Sequence, residues 1–433
     1  MALRVAINGY GRIGRNLLRA YFENGAHALS GAGALEFVAI NDLGKPEALA
    51  HLTRYDSTHG RFAGEVLLEG DRLTIIPAAC GWASCGAARG GAHVAAESAE
   101  AFAGAASAVK SPADARTDDL LAFADSLLEA VAEGVGGLAP EAVPVRATGV
   151  AAADDRVAVR EAGHGKAGRA HVLRLLSEPS PEKLPWAELG VDIVIECTGQ
   201  FRARADAERH FAAGARRVII GAAPFDSVDA MVVYGVNHEA IRATDRLLSS
   251  VSCTTNALVP LVQILDDEFG VESGLMTEIH AVTSDQVTLD HTHRDLRRGR
   301  AAGSNIIPTT SSSIGALRQI LPGVGAQIDG YSLRVPTQNV AAIDFSFVAK
   351  RPVSVAAINA AFAREAAAGY RHILSYCTEP LVSSDFNHSP WSLVLDATET
   401  RVVGRQAKVL AWYDNEWGYA NRLLDLCRYL AAR

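Results

Sequence analysis

Cys253 and His280 stand twenty-seven positions apart, and together their side chains could make a nucleophile. A thiol beside an imidazole can pass its proton to the ring and attack an electrophilic carbon, typically a carbonyl. The flanking residues give each of them a place. After Ser252-Cys253-Thr254-Thr255-Asn256, the residues Leu258, Leu261, Val262, Leu265 and Phe269 recur at helical spacing until Gly270. This predicts a helix that begins at the cysteine. Unpaired N–H groups and the helix dipole at such a start favour a thiolate. His280 lies in a strand-like run over 275–282, which could return it beside the sulfur. Taken alone, the two residues also fit a buried, inert cysteine and an unrelated histidine.

A second group of residues is suited to binding. Leu3-Arg4-Val5-Ala6-Ile7 is an apolar run of strand length. Asn8-Gly9-Tyr10-Gly11-Arg12-Ile13-Gly14 follows directly, and then a helix-like segment as far as Phe22. Glycines at this spacing are weak evidence by themselves, but a strand before and a helix after are what a dinucleotide site requires. Gly9 turns the chain, Gly11 lets the backbone approach a pyrophosphate, and Gly14 permits close helix–strand packing. A second strand over 36–40 ends in Asn41-Asp42, with Asp42 placed to accept the adenosine ribose hydroxyls. A carboxylate there disfavours a 2′-phosphate, so the expected cofactor is NAD. A dinucleotide site combined with an activated cysteine suggests an aldehyde dehydrogenase working through a thioester.

These groups need two different scaffolds. Runs at 191–196 and 217–221, separated by helix-like stretches such as 204–213, predict an α/β unit with a parallel, doubly wound sheet. Longer runs at 330–335, 341–350 and 408–413 alternate in polarity and predict an α+β unit whose mostly antiparallel sheet carries the catalytic groups. The expected division is a cofactor-binding domain over 1–252 and a catalytic domain over 253–414, with a C-terminal helix over 415–433. At 433 residues the chain has material for two domains or more. Its 41 basic and 49 acidic residues form no basic stripe, so nucleic acid is not an expected partner. Neither a secretory leader nor a bilayer-spanning apolar run is found, and a reduced cytoplasm is the expected location. Six cysteines in so long a chain make no disulfide framework. Cys80 and Cys85, with His93 beyond, are poorly spaced for a metal, and no metal site is expected.

One stretch has a different character. Over 79–170 there are 29 alanines and 12 glycines in 92 positions. It separates two strand candidates, 73–76 and 171–176, that a short hairpin would ordinarily join. Most of it reads as low-complexity chain, apart from an amphipathic helix predicted over 117–133. An insertion at a hairpin tip adds little loop entropy, so a peripheral decoration without catalytic role is the expected reading. An interaction or regulatory element is the sharper alternative.

With these motifs in hand, the chain resembles the glyceraldehyde-3-phosphate dehydrogenase family, including its close relative erythrose-4-phosphate dehydrogenase. Residues 6–15, Tyr55-Asp56-Ser57-Thr58-His59-Gly60-Arg61-Phe62, residues 252–256, Arg334-Val335-Pro336-Thr337 and Trp412-Tyr413-Asp414-Asn415-Glu416-Trp417-Gly418 carry the resemblance. It extends over residues 1 to about 77 and about 171 to 433. The resemblance implies that Cys253 attacks the aldehyde while its own N–H helps hold the oxyanion, and that His280 is the base. It implies that Gly9, Gly11, Arg12, Ile13, Gly14 and Asp42 hold NAD, and that Asn415 fixes the nicotinamide carboxamide. Arg334 corresponds to the arginine for the substrate phosphate. Arg298 corresponds to the one facing attacking inorganic phosphate, with Ser252, Thr254, Thr283, Ser311 and Ser312 around that region.

The implied reaction is NAD-linked, phosphorylating oxidation of glyceraldehyde 3-phosphate to 1,3-bisphosphoglycerate, a step of glycolysis. The alternative is hydrolytic oxidation of erythrose 4-phosphate to 4-phosphoerythronate. A non-catalytic NAD-binding interaction protein is the remaining reading. Ser312 stands where the triose enzyme usually has a glycine, which weakens the phosphorylating reading. Ala257 replaces a common second cysteine, and Pro179 a common arginine near the cofactor. The resemblance also implies a homotetramer, with an interface loop over about 288–306, and a last helix folded back onto the first domain.

Overall fold

A computed structural model describes residues 2–78 and 169–433. The helix expected over 117–133, together with Cys80, Cys85 and His93, lies outside the described residues. Among the described residues the strands form two large sheets and one small ribbon. The first sheet uses β1 (Leu3–Asn8), β2 (Leu35–Asn41), β5 (Gly64–Glu69), β6 (Arg72–Pro77), β7 (His171–Leu176), β8 (Ile193–Glu196), β9 (Arg217–Ile220), β10 (Ala230–Met231) and β11 (Leu247–Ser249). The ribbon pairs β3 (Tyr55–Asp56) with β4 (Gly60–Arg61).

The order β10-β11-β9-β8-β1-β2-β7-β6-β5 is parallel from β10 to β7 and antiparallel over the last two pairs. Val5, Ala6 and Ile7 of central β1 are wholly buried, because both faces of a parallel sheet are covered. From β1 the chain runs to β2 on one side and later to β8 on the other, which opens a crevice at the carboxyl ends of these strands. Such switch points are where dinucleotides bind in open α/β sheets. The two strands flanking the insertion pair as expected, with Leu73 opposite Leu173. The stretch expected to be helical over 204–213 is instead two short turns, α3 (Arg204–Ala207) and α4 (Arg209–Ala212). A tightened bond from the Phe211 N–H to the Glu208 carbonyl breaks the run.

The second sheet has the order β13-β14-β12-β15-β18-β17-β16. Its strands are β12 (Val271–Ala281), β13 (Ile307–Thr309), β14 (Ile328–Val335), β15 (Ala341–Ala349), β16 (Leu374–Cys377), β17 (Leu393–Val403) and β18 (Gln406–Tyr413). It is mostly antiparallel, but β12 and β14 run parallel and set His280 directly opposite Arg334. Gly274, Met276, Glu278 and His280 of β12 are buried at every second position, as a sheet with one covered face requires. The cover includes α5 (Cys253–Phe269), whose Leu258, Val262 and Leu265 pack with Met276, Ile343 and Phe345.

Helix α1 (Arg12–Glu23) follows the glycine turn, and α2 (Pro46–Arg54) follows β2. Helices α6 (Ser313–Ile320), α7 (Pro322–Gly325) and α8 (Val355–Ala367) belong to the second half of the chain. The last helix, α9 (Trp417–Ala431), packs against the first sheet. Its Trp417, Leu423, Leu424 and Leu426 share a core with Leu17, Tyr21 and Phe37. Each leucine buried in this way contributes about 1.5–3 kcal/mol. The anchored helix fixes the turn before it, which carries Asn415. No helix among the described residues is long and apolar enough to cross a membrane.

Candidate active site

Helix α5 starts where its sequence says it should. Ser252 caps it, its Oγ accepting the Thr255 N–H at 3.0 Å, and Gly270 closes it at φ 64°. The entry is held from both sides. Asn256 donates to the Ser250 and Ser252 carbonyls at 2.8 and 3.0 Å. Tyr419 of α9 donates to the carbonyl of Val251, a residue at φ 50°. Cys253 is thereby fixed at the helix tip with part of its surface open.

Its Sγ lies 3.5 Å from His280 Nε2. The ring's Nδ1–H donates to the Ala281 carbonyl at 2.7 Å, which leaves Nε2 bare and facing the thiol. The structure therefore brings together the two residues singled out for nucleophilic chemistry. Arg334 joins them from β14. Its Nη1 donates to the Ala281 carbonyl at 3.5 Å, and its buried Nε has no partner among the described residues. An uncommitted guanidinium donor here suits an anionic group on the substrate.

Two further residues complete the pocket. Glu278, two before His280 and so on the same face of β12, is 2% exposed. Its Oε1 accepts the Thr254 hydroxyl at 2.7 Å and lies 3.9 Å from His280 Nε2. The Tyr413 hydroxyl donates in turn to Thr254 Oγ1 at 2.8 Å. Neither Glu278 nor Tyr413 was anticipated as part of the site, although strand alternation alone puts Glu278 beside His280. Thr254, expected to meet inorganic phosphate, donates its hydroxyl hydrogen bond to Glu278.

Burial acts against the thiolate that the helix start favours. Burial first, and then the Glu278 carboxylate, push the Cys253 thiol up to about 11. Burial first, and then Arg334, hold His280 down to about 4. Burial thus favours the neutral form of each partner, while the helix N-terminus acts on the sulfur in the opposite direction.

Arg298, Thr283, Ser311 and Ser312, also expected around inorganic phosphate, have partners of their own. Arg298 Nη1 is paired with Asp285, its Nε donates to Asp295 at 3.3 Å, and its Nη2 donates to the Thr310 carbonyl at 3.3 Å. Thr283 donates through both N–H and hydroxyl to Gln286. Ser311 and Ser313 bond through their hydroxyls at 2.7 Å, and Ser312 leads into α6.

The glycine turn has the shape that its sequence implies. Gly9 adopts φ +91°, and a Cβ there would stand 2.5 Å from the Thr198 nitrogen. A Cβ on Gly14 would meet the Gly9 carbonyl at 2.3 Å, whereas one on Gly11 meets nothing within 4 Å. Close packing at two positions and open space at the middle one make a cradle for a pyrophosphate. Asp42 accepts the Tyr10 N–H at 2.7 Å and the Gly44 N–H at 2.8 Å, which sets its carboxylate at the cradle's edge. The Arg12 side chain is clasped by Asp56 and Glu416, tying α1 to the ribbon and to the turn before α9, and Ile13 packs on the core.

Asp414 shapes that last turn, accepting the Glu416 and Trp417 N–H groups at 2.9 and 2.7 Å. Asn415 is buried, and its Oδ1 has no partner among the described residues. A buried acceptor left unpaired costs about 1–3 kcal/mol, and a carboxamide N–H would satisfy it. Cradle, carboxylate and acceptor fit NAD. No group of three metal-ligating side chains occurs among the described residues.

Comparison with known proteins gives a consistent result. Residues 3–80 match the family description "Glyceraldehyde 3-phosphate dehydrogenase, NAD binding domain", and residues 252–415 match "Glyceraldehyde 3-phosphate dehydrogenase, C-terminal domain". Two proteins of Cupriavidus necator, named glyceraldehyde-3-phosphate dehydrogenase, plasmid and chromosomal, are each 40% identical over 431 residues. The alignments cover 100% of this chain and 99% of each relative.

Proposed function

The chain belongs to the glyceraldehyde-3-phosphate dehydrogenase family of NAD-dependent oxidoreductases, and from that premise we propose that it oxidises glyceraldehyde 3-phosphate to 1,3-bisphosphoglycerate through a thioester on Cys253. The observation that carries this reading is the Cys253–His280 pair at 3.5 Å with Arg334 beside it. Arg334 holds the substrate's phosphate. Cys253 attacks the aldehyde carbon while its thiol proton passes to His280 Nε2, and the Cys253 N–H at the helix tip steadies the oxygen. NAD, held by the glycine cradle, Asp42 and Asn415, supplies the two-electron acceptor. His280 Nε2 returns the thiol proton to the oxygen to give the thiohemiacetal and takes it back during oxidation, while its Nδ1–H stays fixed on Ala281 throughout. Inorganic phosphate then opens the thioester, with Arg298, Thr283, Ser311 and Ser312 around it.

We place this activity in the cytoplasm, in glycolysis, and in a homotetramer. The division of labour follows the chain: residues 1–252 bind NAD, 253–414 carry the chemistry, and 415–433 lock the two together. A specific observation supports a second reading, hydrolytic oxidation of erythrose 4-phosphate. The Arg298 guanidinium is already engaged by Asp285 and Asp295, and Thr254 by Glu278, so the phosphate donors are partly committed.

The deciding experiment follows NADH formation with glyceraldehyde 3-phosphate or erythrose 4-phosphate, each with and without inorganic phosphate. Turnover of the triose that depends on phosphate is expected. Preference for the tetrose without need for phosphate selects the second reading. NAD binding without turnover of either substrate removes both.

A further inference from the structure

We propose that His59 and His388 are positioning residues of the NAD site: the two rings hold one proton between them, and this clasp fixes the turn that carries Asn415 against α1. It rests on the reading that Asn415 holds the nicotinamide carboxamide. His59 lies in the turn between β3 and β4, and His388 in the loop before β17, at φ 70°. A residue other than glycine keeps that conformation only where its surroundings fix it. Here the His388 N–H donates to Asp414 at 2.7 Å, and the ring stacks on Trp417 with centroids 3.5 Å apart. Asp414 is the same carboxylate that shapes the Asn415 turn. Glu416, the next residue after Asn415, meets His59. Both histidine rings are buried.

The distances fix the number of ring hydrogens. His59 Nε2 lies 3.1 Å from Glu416 Oε2, and His388 Nε2 lies 3.3 Å from Glu23 Oε2. A carboxylate only accepts, so each Nε2 carries a hydrogen. The two Nδ1 atoms face each other at 3.1 Å, a contact that needs one hydrogen between them, neither none nor two. The pair is therefore one imidazolium and one imidazole. The surrounding charges suit that state. From α1 come Arg12, Arg19 and Glu23, from the ribbon Asp56, and from the turn before α9 Asp414 and Glu416. Arg15 stands further off, with its Nη1 on the Tyr10 carbonyl at 3.1 Å. Arg12 is bound to Asp56 and Glu416, and Arg19 to Glu23, so the carboxylates of this group outnumber the guanidiniums bound to them. One charge on the histidine pair restores the balance. Asp414 is satisfied separately, by the N–H groups of His388, Glu416 and Trp417 and the Asn339 amide. Burial holds His388 below the ordinary histidine range in spite of Glu23, which makes it the neutral ring. A second proton would set two N–H groups face to face. Loss of the shared one would set two bare nitrogens face to face, or turn one towards a carboxylate. Either change opens the clasp and frees the turn at Asn415, so pH enters NAD binding at its nicotinamide end.

The test compares NAD with ADP-ribose, which fits the cradle and Asp42 but has no carboxamide. Calorimetric titrations run from about pH 5 to about pH 9. NAD affinity should be level near neutral pH and fall on both sides, by up to about tenfold per pH unit, the limit for one proton. ADP-ribose affinity should stay level. His388→Gln, whose amide can stand at the shared contact but takes up no proton, should lose the fall of NAD affinity on the acid side. A fall shared by both ligands, or one unchanged in His388→Gln, overturns the proposal. If the variant does not fold, the native protein without ligand decides, through deuterium exchange at C2 of each ring, read by mass spectrometry of the peptides that carry them. One midpoint above the ordinary histidine value of about 6.5 and one below it support the shared proton. Two midpoints on the same side overturn it. Split midpoints beside identical profiles for the two ligands overturn the role of Asn415 instead, so a failed clasp and a failed cofactor reading remain distinct.

Discussion

The glycine cradle and the sulfur pocket lie at the ends of two neighbouring sheets, and they are made by opposite means. At Gly9 and Gly14 the site is shaped by missing side chains, with backbone atoms closer than any Cβ allows. Around Cys253 it is shaped by side chains that are charged or chargeable: Glu278 and His280, both nearly dry, and half-buried Arg334. A site made of backbone fails all at once and is indifferent to pH. A site made of buried charge changes by degrees and follows pH closely.

The sharpest way to break this contrast is to substitute one residue on each side. Cys253→Ser should lower turnover by about 10⁴-fold or more while NAD binding and thermal stability stay as they are. Gly9→Ala should do the opposite in kind. Its Cβ meets Thr198 at 2.5 Å and its φ of +91° is strained for alanine, so folding loses about 1–3 kcal/mol and NAD binding weakens. Gly11→Ala has open space around it and should keep its stability within about 0.5 kcal/mol, losing affinity for NAD alone. Calorimetric titration with NAD and thermal melts of the three proteins read all of this. Wild-type NAD affinity in Gly9→Ala breaks the claim that backbone shape makes the cradle.

A smaller effect, specific to the charged pocket, appears as pH dependence of stability. His280 is held from its usual 6.5 down to about 4, so the unfolded chain takes up this proton first as pH falls. Its contribution to stability is complete above about pH 6.5 and is lost as pH falls towards 4. Cys253 is raised from 9.0 to about 11, so its contribution is complete below pH 9 and is lost as pH rises towards 11. A plateau between the two follows. Melts of wild type and His280→Gln should diverge by about 2 kcal/mol between pH 6.5 and 5, the wild type losing more. A difference independent of pH means that the ring is not held neutral by its pocket.

The same contrast explains what could be read from the sequence. The cradle was legible because a strand, three spaced glycines and a helix are local facts with one backbone solution. The Cys253–His280 pair was legible because a capped helix and a strand run each fixed one partner. Glu278 was passed over because a lone glutamate in a strand reads as solvent-facing, and only the packing of α5 against β12 shows that its face is covered. The helix end that favours a thiolate is a local property, whereas the desolvation that acts against it comes from strands distant in sequence. The break between α3 and α4 rests on one tightened turn that no spacing of apolar residues announces.

The smallest effect tests where the pocket's buried charge gives way to exposed charge. Asp285 is half exposed, and its pair with Arg298 is part of a loop cluster with Asp295 rather than of the dry pocket. An ion pair with one partner this open contributes about 0.2–1 kcal/mol, so it can restrain the guanidinium without blocking it. Asp285→Asn removes the charge and keeps the size, freeing Nη1 for an incoming anion. In the phosphorylating reaction the KM for inorganic phosphate should then fall by up to about fivefold while the KM for the aldehyde holds steady. The aldehyde's own phosphate depends on Arg334, whose partners this substitution leaves in place. Steady-state rates over a grid of both substrates separate the two constants. A KM for inorganic phosphate that rises, or one that moves together with the aldehyde's, assigns Asp285 to holding the loop rather than to competing for Arg298.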